Sequence, residues 1–271
     1  MNERSSERLF IHKSGLSSWR QCPRKFYWMY IKQQGPEVSD ESIAMEHGAT
    51  FHHVARQFEY IYDTDVLFGS GTYIDRLKYL SSCIPKGISN TIYGWMQNLV
   101  DFEARRSLDW TLPQGMFKPV QMERYLESPE FNYAGTFDRL DYYDEDSYIV
   151  IDYKPRIYNI SMIRQEQAIY WVLINDQLKL DKPVNHWGVI AYDEGVYHSE
   201  EFKKVTFTAL KKNTNNLWER IQEYKLSGDR NIFPIKSGEH CDYCMFLTLC
   251  WNDPEYIDEV MATKREEINE E

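Results

Sequence analysis

The spacing of the cysteines constrains this chain more than any other feature. Three of them form a compact group, Cys241-x2-Cys244-x5-Cys250, and a fourth, Cys22, lies more than 200 positions earlier. Three thiolates and a distant fourth can bind Zn²⁺ tetrahedrally or hold a 4Fe-4S cluster, and the spacing does not choose between them. Such a site would join the two ends of the chain and offset the entropy of closing a long loop. The alternative is a set of ordinary buried cysteines.

The fifth cysteine, Cys83, has no place in this pattern, and we interpret it as an ordinary buried residue. An odd total argues against a disulfide framework. Residues Met1 to Arg8 are polar and lack the apolar segment of a secretory signal. No apolar run approaches the ~20 residues that span a bilayer. We therefore expect a cytoplasmic protein.

The net charge of −11, from 31 basic and 42 acidic residues, has the wrong sign for a protein that coats nucleic acid non-specifically. It does not exclude an enzyme whose carboxylates bind divalent cations, because those cations bring positive charge to a phosphate. Part of the excess lies in Lys264 to Glu271, which we interpret as a frayed, solvated tail.

Hydrophobic periodicity predicts a single domain over 1–271 with four successive parts: 1–115 mainly helical, 116–200 a sheet, 201–251 a helix with the cysteine group, and 252–271 a tail. This order predicts an α/β or α+β core with a mixed central β-sheet flanked by helices. Ser161 is the predicted N-cap of the helix that follows the third strand. The predicted strands are 118–127, 131–143, 148–154 and 184–192, and the predicted helices are 14–32 with a break at Pro23, 42–62, 71–110, 161–178 and 206–226.

Three carboxylates and a lysine lie on the predicted sheet. Asp152 and Lys154 are two positions apart on the third strand, so strand geometry places both on one face. Asp138 lies on the preceding strand across the turn 144–147, and we expect it opposite Asp152. Glu123 lies on the strand before that. Converging carboxylates repel each other unless a cation binds, and hard oxygen ligands select Mg²⁺ or Mn²⁺.

The residues before two of these acids favour a functional site over the alternative, a surface hairpin with an ion pair. Asp152 follows Ile149-Val150-Ile151 and Asp138 follows Gly135-Thr136-Phe137, so both acids emerge from apolar strands. A metal held there would polarise a phosphoryl oxygen and lower the pKa of a bound water. Lys154 beside it would orient that water or offset charge in the transition state.

The two segments together resemble a known family. Gly135-Thr136-Phe137-Asp138-Arg139-Leu140-Asp141, followed by Ile151-Asp152-Tyr153-Lys154, is similar to motifs II and III of the RecB-like branch of the PD-(D/E)XK nucleases. The resemblance implies a restriction-endonuclease-like core with a helical N-terminal lobe. It also implies that Asp138 and Asp152 bind metal and that Lys154 is catalytic.

Three further positions follow from the same resemblance. Gly48-Ala49-Thr50-Phe51-His52 matches an upstream G-x-x-x-H segment, which makes His52 a candidate metal ligand, and Glu123 matches a glutamate on the strand before motif II. A Gln and a Tyr on the helix after the lysine strand are expected to contact substrate. Gln167 with Tyr170, or Gln165 with Tyr170, comes close to the usual spacing. Pro155 departs from the small hydroxyl residue common after the lysine.

The cysteines resemble the same branch. One N-terminal cysteine in a C-P-x-x-F segment with a C-terminal C-x2-C-x5-C group is similar to the AddB nuclease domains and the CRISPR-associated RecB-like exonucleases, in which the group holds a structural iron–sulfur cluster. This resemblance implies that Cys22, Cys241, Cys244 and Cys250 bind a 4Fe-4S cluster. Nearby Arg20, Arg24 and Lys25 either contact phosphates or form a solvated face.

The sequence therefore predicts a metal-dependent DNA exonuclease that uses Mg²⁺ or Mn²⁺ and prefers single-stranded DNA or DNA ends, in recombination, repair or CRISPR adaptation. The alternative is a nuclease-fold subunit that binds DNA or assembles with protein partners in a larger complex. A zinc-stabilised protein of another function is a third interpretation.

Overall fold

The computed structural model describes residues 10–35 and 40–252. The predicted tail, 264–271, and the polar N-terminus, 1–8, lie outside these residues. The chain divides into two compact units. We call them the sheet unit, which includes His47–Leu210, and the cysteine unit, which includes Ile11–Glu46 and the residues from Lys211 onward. The predicted single-domain organisation stays a prediction.

Helices and strands alternate much as the periodicity predicts. Within the described ranges, no helix combines the length and apolar character that a membrane crossing requires. The elements in chain order are β1 (Ile11–His12), α1 (Lys13–Gln21), α2 (Pro23–Phe26), α3 (Asp40–Ile61), α4 (Thr64–Gly69), α5 (Tyr73–Ser82), α6 (Asn90–Asp109), β2 (Gln121–Ser128), β3 (Tyr133–Tyr142), β4 (Tyr148–Lys154), α7 (Ile160–Gln177), β5 (Val184–Ala191), β6 (Val196–Glu201), α8 (Lys204–Ser227) and α9 (Leu247–Trp251), with a π-helical turn at Tyr27–Ile31 and 3₁₀ turns at Gln114–Met116, Arg230–Ile232 and Glu239–Cys241.

In the sheet unit, strands β2 to β6 pair in chain order into a mixed sheet. The pairs β2–β3, β3–β4 and β5–β6 are antiparallel, and β4–β5 is parallel. A parallel pair needs a crossover connection, and α7 supplies it between β4 and β5. The expected mixed sheet flanked by helices is therefore confirmed. Strand β6 is an addition that the sequence did not predict, since Val196–Glu201 carries little apolar character.

Helices cover both faces of this sheet. On one face, Ile149, Ile151 and Tyr153 of β4 pack in one core cluster with Phe51 of α3 and Met96 of α6. Side chains alternate along a strand, so Asp152 and Lys154 point to the other face. Helix α7 packs against β2, β3, β4 and β5 on that face. The alternation along β4 thus places Ile149, Ile151 and Tyr153 on one face of the sheet and Asp152 and Lys154 on the other.

Two details of the predicted helices are wrong. The N-cap of α7 is Asn159, whose side chain accepts a hydrogen bond from the backbone N–H of Met162, and not Ser161. Asparagine is as good a cap as serine, so composition could not choose between them. The predicted helix 71–110 is also interrupted, because Pro85 lies between α5 and α6 and cannot continue a helical hydrogen-bond ladder.

In the cysteine unit, aromatic rings join segments from the two ends of the chain. The ring of Phe233 lies 5.5 Å from that of Tyr27 and 6.1 Å from that of Phe26, measured between centroids. The Arg24 side chain is fully buried, and its Nε donates a 2.8 Å hydrogen bond to the Phe233 carbonyl. Lys25 is also buried. The predicted solvated or phosphate-binding face is therefore wrong for Arg24 and Lys25.

A buried ionic network lies in the core of the sheet unit. Arg139 of β3 is fully buried and donates to Glu59 of α3 at 3.1 Å, to Glu103 of α6 at 2.6 Å and to Asp141 of β3 at 2.7 Å. Arg106 of α6 pairs with Glu103 at 2.8 Å and with Asp141 at 3.0 Å. Three carboxylates thus face two guanidinium groups, so the network carries one excess negative charge when all five groups ionise.

That excess is relieved at Glu59. Burial raises the pKa of Glu59 to about 7, and the nearby charge of Arg139 only partly opposes this effect. Burial also disfavours the ionised form of Glu103, but Arg106 and Arg139 outweigh it, and the pKa of Glu103 lies below its ordinary value. The two arginines lie nearer to Glu103 than Arg139 does to Glu59, which explains why Glu59 holds the proton.

We expect Glu59→Gln to remove a pH dependence from the stability of the sheet unit. Between about pH 4.5 and 7 an unfolded Glu59 ionises while the native one keeps its proton, so the free energy of unfolding falls as the pH rises, by at most about 1.4 kcal/mol per pH unit. Glutamine mimics the protonated acid. In urea titrations the variant should therefore gain stability relative to wild type from pH 5 to 7 and no more above that. A constant difference across this range would contradict the prediction.

Candidate active site

The register of β3 and β4 brings the two predicted metal-binding aspartates together. Arg139 pairs with Ile151 and Leu140 with Val150, and the same register places Asp138 opposite Asp152. Both side chains are buried. One carboxylate oxygen of Asp138 accepts a 2.7 Å hydrogen bond from the backbone N–H of Tyr153, which fixes Asp138 against β4.

Glu123 of β2 extends this carboxylate group. Its neighbours Met122 and Arg124 pair with Arg139 and Phe137, so Glu123 lies opposite Asp138. The backbone of Glu123 has a φ of 48°, in the left-handed region that residues with a side chain rarely adopt. Such strain costs roughly 1 kcal/mol or more and occurs preferentially where function requires it.

His52 reaches the same carboxylates from helix α3. Phe51 stacks on Tyr192 with centroids 4.1 Å apart, and the His52 ring contacts Tyr153 edge-on at 5.6 Å. These contacts hold the helix beside the ends of β4 and β5. The Nδ1 atom of His52 lies 3.0 Å from Glu123 Oε1 and 3.5 Å from Asp138 Oδ1.

These three residues have the geometry of a metal site. One ligand atom each from His52, Glu123 and Asp138 lies within 4.8 Å of the other two. Burial lowers the pKa of His52, but the charges of Asp138, Glu123 and Asp152 outweigh it, and the pKa lies above its ordinary value. The site therefore attracts positive charge, which a divalent cation would supply in place of the proton. The carboxylate oxygens of this set suit Mg²⁺ or Mn²⁺.

Lys154 lies beside this group on the face that α7 covers. Its Nζ is 3.4 Å from Asp152 Oδ2 and 2.7 Å from Glu166 Oε2. Glu166 is 3% exposed and was missed in the sequence. Helix spacing could have found it, because Glu166 lies four residues before Tyr170 and so on the same helix face.

The other candidate residues on α7 are all buried. Tyr170 is buried, and its burial together with the charges of Asp138 and Asp152 raises the pKa of its hydroxyl well above the ordinary value. Tyr170 is therefore a neutral phenol close to the carboxylates. Gln167 is also fully buried, and neither of its amide atoms has a hydrogen-bond partner among the described residues. Gln165 is buried as well.

The four patterned cysteines form a second site, in the cysteine unit. All five cysteines of the chain have free thiols. A small cavity is lined by the side chains of Cys22, Cys241, Cys244 and Cys250, together with Lys25. Cys83 lies outside it and packs at the edge of the sheet unit's core, partly buried. The fold therefore brings the N-terminal cysteine to the C-terminal group, as the spacing predicts.

The electrostatics of this cavity favour cysteine thiols that lose their protons only when a metal binds. Burial raises the pKa of the Cys250 thiol to about 12, and neighbouring Cys22 and Cys244 raise it further, while Arg24 opposes them. Four neighbouring thiolates are unfavourable without a cation among them. Soft thiolate ligands fit zinc or an iron–sulfur centre, and the donor set excludes a magnesium-type site there.

A comparison with protein families identifies the superfamily of the chain. The model of a family described as the PD-(D/E)XK nuclease superfamily matches residues 13–251. No curated protein matches the chain significantly. The matched range includes His52, Glu123, Asp138 and the D-x-K segment, as well as the cysteines at either end. The chain belongs to the PD-(D/E)XK nuclease superfamily, whose members are metal-dependent nucleases.

Proposed function

We propose that this protein is a Mg²⁺- or Mn²⁺-dependent DNA exonuclease of the RecB-like branch, acting on single-stranded DNA or DNA ends. The observation that carries the proposal is the convergence of His52, Glu123 and Asp138 within 4.8 Å, beside Asp152 and Lys154. A divalent metal held there would supply Lewis-acid chemistry, because it would polarise the scissile phosphate and lower the pKa of a bound water. His52, Asp138 and Asp152 are the metal ligands, and Glu123 assists them.

Lys154 is the catalytic residue beside those ligands. Its ammonium group lies next to Asp152, where it would orient the attacking water and offset charge on the phosphate. Glu166 accepts a hydrogen bond from it at 2.7 Å and so limits the directions that the flexible side chain can take. Tyr170, neutral and close to the carboxylates, would donate a hydrogen bond to a phosphate oxygen. Gln167 is assigned to substrate contact on the family pattern alone.

The exonuclease assignment, the preference for single strands or ends and a place in recombination, repair or CRISPR adaptation rest on the RecB-like motifs. Protein partners in such a complex are part of the same proposal. A cytoplasmic location is consistent with five free thiols, because disulfides are rare in that compartment.

We further propose that Cys22, Cys241, Cys244 and Cys250 hold a 4Fe-4S cluster. Four cysteines that line one cavity can hold either a zinc ion or an iron–sulfur cluster. The choice of the cluster rests on the resemblance of the cysteine pattern to that of the iron–sulfur nucleases of the RecB-like branch.

The proposed activity is tested with end-labelled oligonucleotides and the purified full chain. With Mn²⁺ or Mg²⁺ present, we expect progressive shortening of a single strand from one end, and the products show the polarity. Excess EDTA should abolish cleavage, and added Mn²⁺ should restore it, because the ligands of this site hold oxygen-preferring cations. Internal cleavage of a circular single strand would contradict the exonuclease assignment, and no metal-dependent cleavage would contradict the nuclease itself.

A further inference from the structure

The buried ionic network lies directly behind the candidate metal site. Arg139 follows Asp138 in β3, and its guanidinium lies 3.4 Å from the hydroxyl of Tyr153, which separates Asp152 from Lys154 in β4. Successive side chains of a strand point to opposite faces. The residues of the network and those of the site therefore alternate along β3 and β4. A shift of Arg139 moves β3 and with it Asp138.

The network also reaches the helix that carries the imidazole. Glu59 lies seven residues after His52 in α3, about two turns, so both side chains are on one face of the helix. His52 contacts Asp138 at 3.5 Å, and Glu59 contacts Arg139, the next residue, at 3.1 Å. Helix α3 is thus attached to β3 at two neighbouring residues. The contact of His52 with Asp138 belongs to the candidate site, and the contact of Glu59 with Arg139 is buried in the core.

We propose that the Glu59–Arg139 pair is a positioning device for the metal site, which sets the distance of His52 from Asp138. The proposal rests on the assignment of His52 as a metal ligand. A buried contact between a guanidinium and an acid side chain has little freedom to move, because any separation leaves a buried polar group without its partner. The Glu59–Arg139 contact therefore restricts movement of α3 along its axis and keeps the His52 imidazole beside the carboxylates of Asp138 and Glu123.

A double-mutant cycle on Mn²⁺ binding by the full chain tests this role, with Mn²⁺ alone as the probe. Glu59→Met removes the contact with Arg139 and keeps the length of the side chain and its helix propensity. We expect it to weaken Mn²⁺ binding about tenfold, as loss of groups that orient metal ligands does. In a His52→Ala background the same substitution should change the dissociation constant by less than about twofold, because the residue that it positions is gone.

Glu103→Met is the matched control. Glu103 is equally buried and contacts the same Arg139 nitrogen at 2.6 Å, but it lies on α6, which carries no proposed ligand. Glu103→Met should change the dissociation constant for Mn²⁺ by the same factor in the wild-type and His52→Ala backgrounds. If Glu59→Met and Glu103→Met behave alike, or if Glu59→Met costs the same factor in both backgrounds, the positioning role is excluded.

Glu59→Gln should rescue the site, since it retains the length of the side chain and an oxygen for Arg139, so wild-type Mn²⁺ affinity is expected. If Glu59→Met does not fold, Glu59→Asp takes its place, because a shorter acid cannot span the same distance and should weaken binding in the same direction. Unchanged affinity in Glu59→Asp would overturn the proposal. Unchanged affinity in His52→Ala alone would instead remove the metal-ligand assignment on which the proposal rests.

Discussion

Asp152→Asn is expected to lower the rate of DNA hydrolysis by about a thousandfold or more, without unfolding the protein. Asp152 is fully buried on β4, in register with Asp138 and 3.4 Å from the ammonium group of Lys154. Asparagine has the same shape but no charge. The change removes one proposed metal ligand and the partner that holds Lys154 beside it. Single-turnover digestion of a labelled single strand at saturating Mn²⁺ measures the effect.

Asp144→Asn is the matched control for this prediction. Asp144 lies in the turn of the same hairpin, and its carboxylate accepts hydrogen bonds from Ser147 and from the backbone of Asp146. Asparagine retains that acceptor, so we expect unchanged activity within about twofold and little loss of stability. A wild-type rate for Asp152→Asn, measured with metal in excess, would rule out Asp152 as part of the catalytic site.

Cys22→Ser is expected to have the largest effect on stability. Cys22 is the N-terminal member of the cysteine site and lies between α1 and α2, more than 200 positions from the other three. Binding of a metal by structural cysteines contributes roughly 10 kcal/mol or more, which is comparable with the whole stability of a domain. The variant should lose its iron, lose the visible absorbance of the cluster and unfold at a temperature lower by tens of degrees.

Cys83→Ser separates this effect from the general cost of losing a thiol. Cys83 is partly buried but lies outside the cysteine cavity, so the variant should keep its iron and unfold within a few degrees of wild type. Iron analysis after anaerobic purification, combined with thermal unfolding, gives both readouts. Full iron content in Cys22→Ser would exclude Cys22 as a ligand, whereas zinc in place of iron in the wild type would exclude the cluster.

Those parts of the fold that depend on local patterns were predictable from sequence. Strand β4 was predicted with its observed bounds, because it contains the β-branched run Ile149–Ile151 and Pro155 ends it. A hairpin with a short acidic turn then fixes its own register, which is why Asp138 could be expected opposite Asp152 before the structure was known. The approach of Cys22 to the C-terminal cysteines was predictable because three closely spaced cysteines and a distant fourth can bind one metal ion or cluster.

The interactions missed in the sequence join segments that are distant in the chain. Glu59, Glu103 and Arg139 come from two helices and a strand, and each alone reads as an ordinary surface charge. Only packing brings them into the core. Glu166 was missed for a different reason, since the family pattern directed attention to the glutamines on either side of it. Arg24 and Lys25 were misjudged because burial of a cation depends on what the other end of the chain covers.

The backbone at Glu123 has a consequence for engineering this protein. Glycine adopts a φ of 48° at no steric cost, whereas glutamate is strained there by roughly 1 kcal/mol. A selection for thermostability alone would therefore favour glycine at this position and discard a carboxylate that faces His52. With the role proposed for Glu123, such a variant is expected to cut less DNA. Stabilisation of this chain for practical use should leave position 123 untouched.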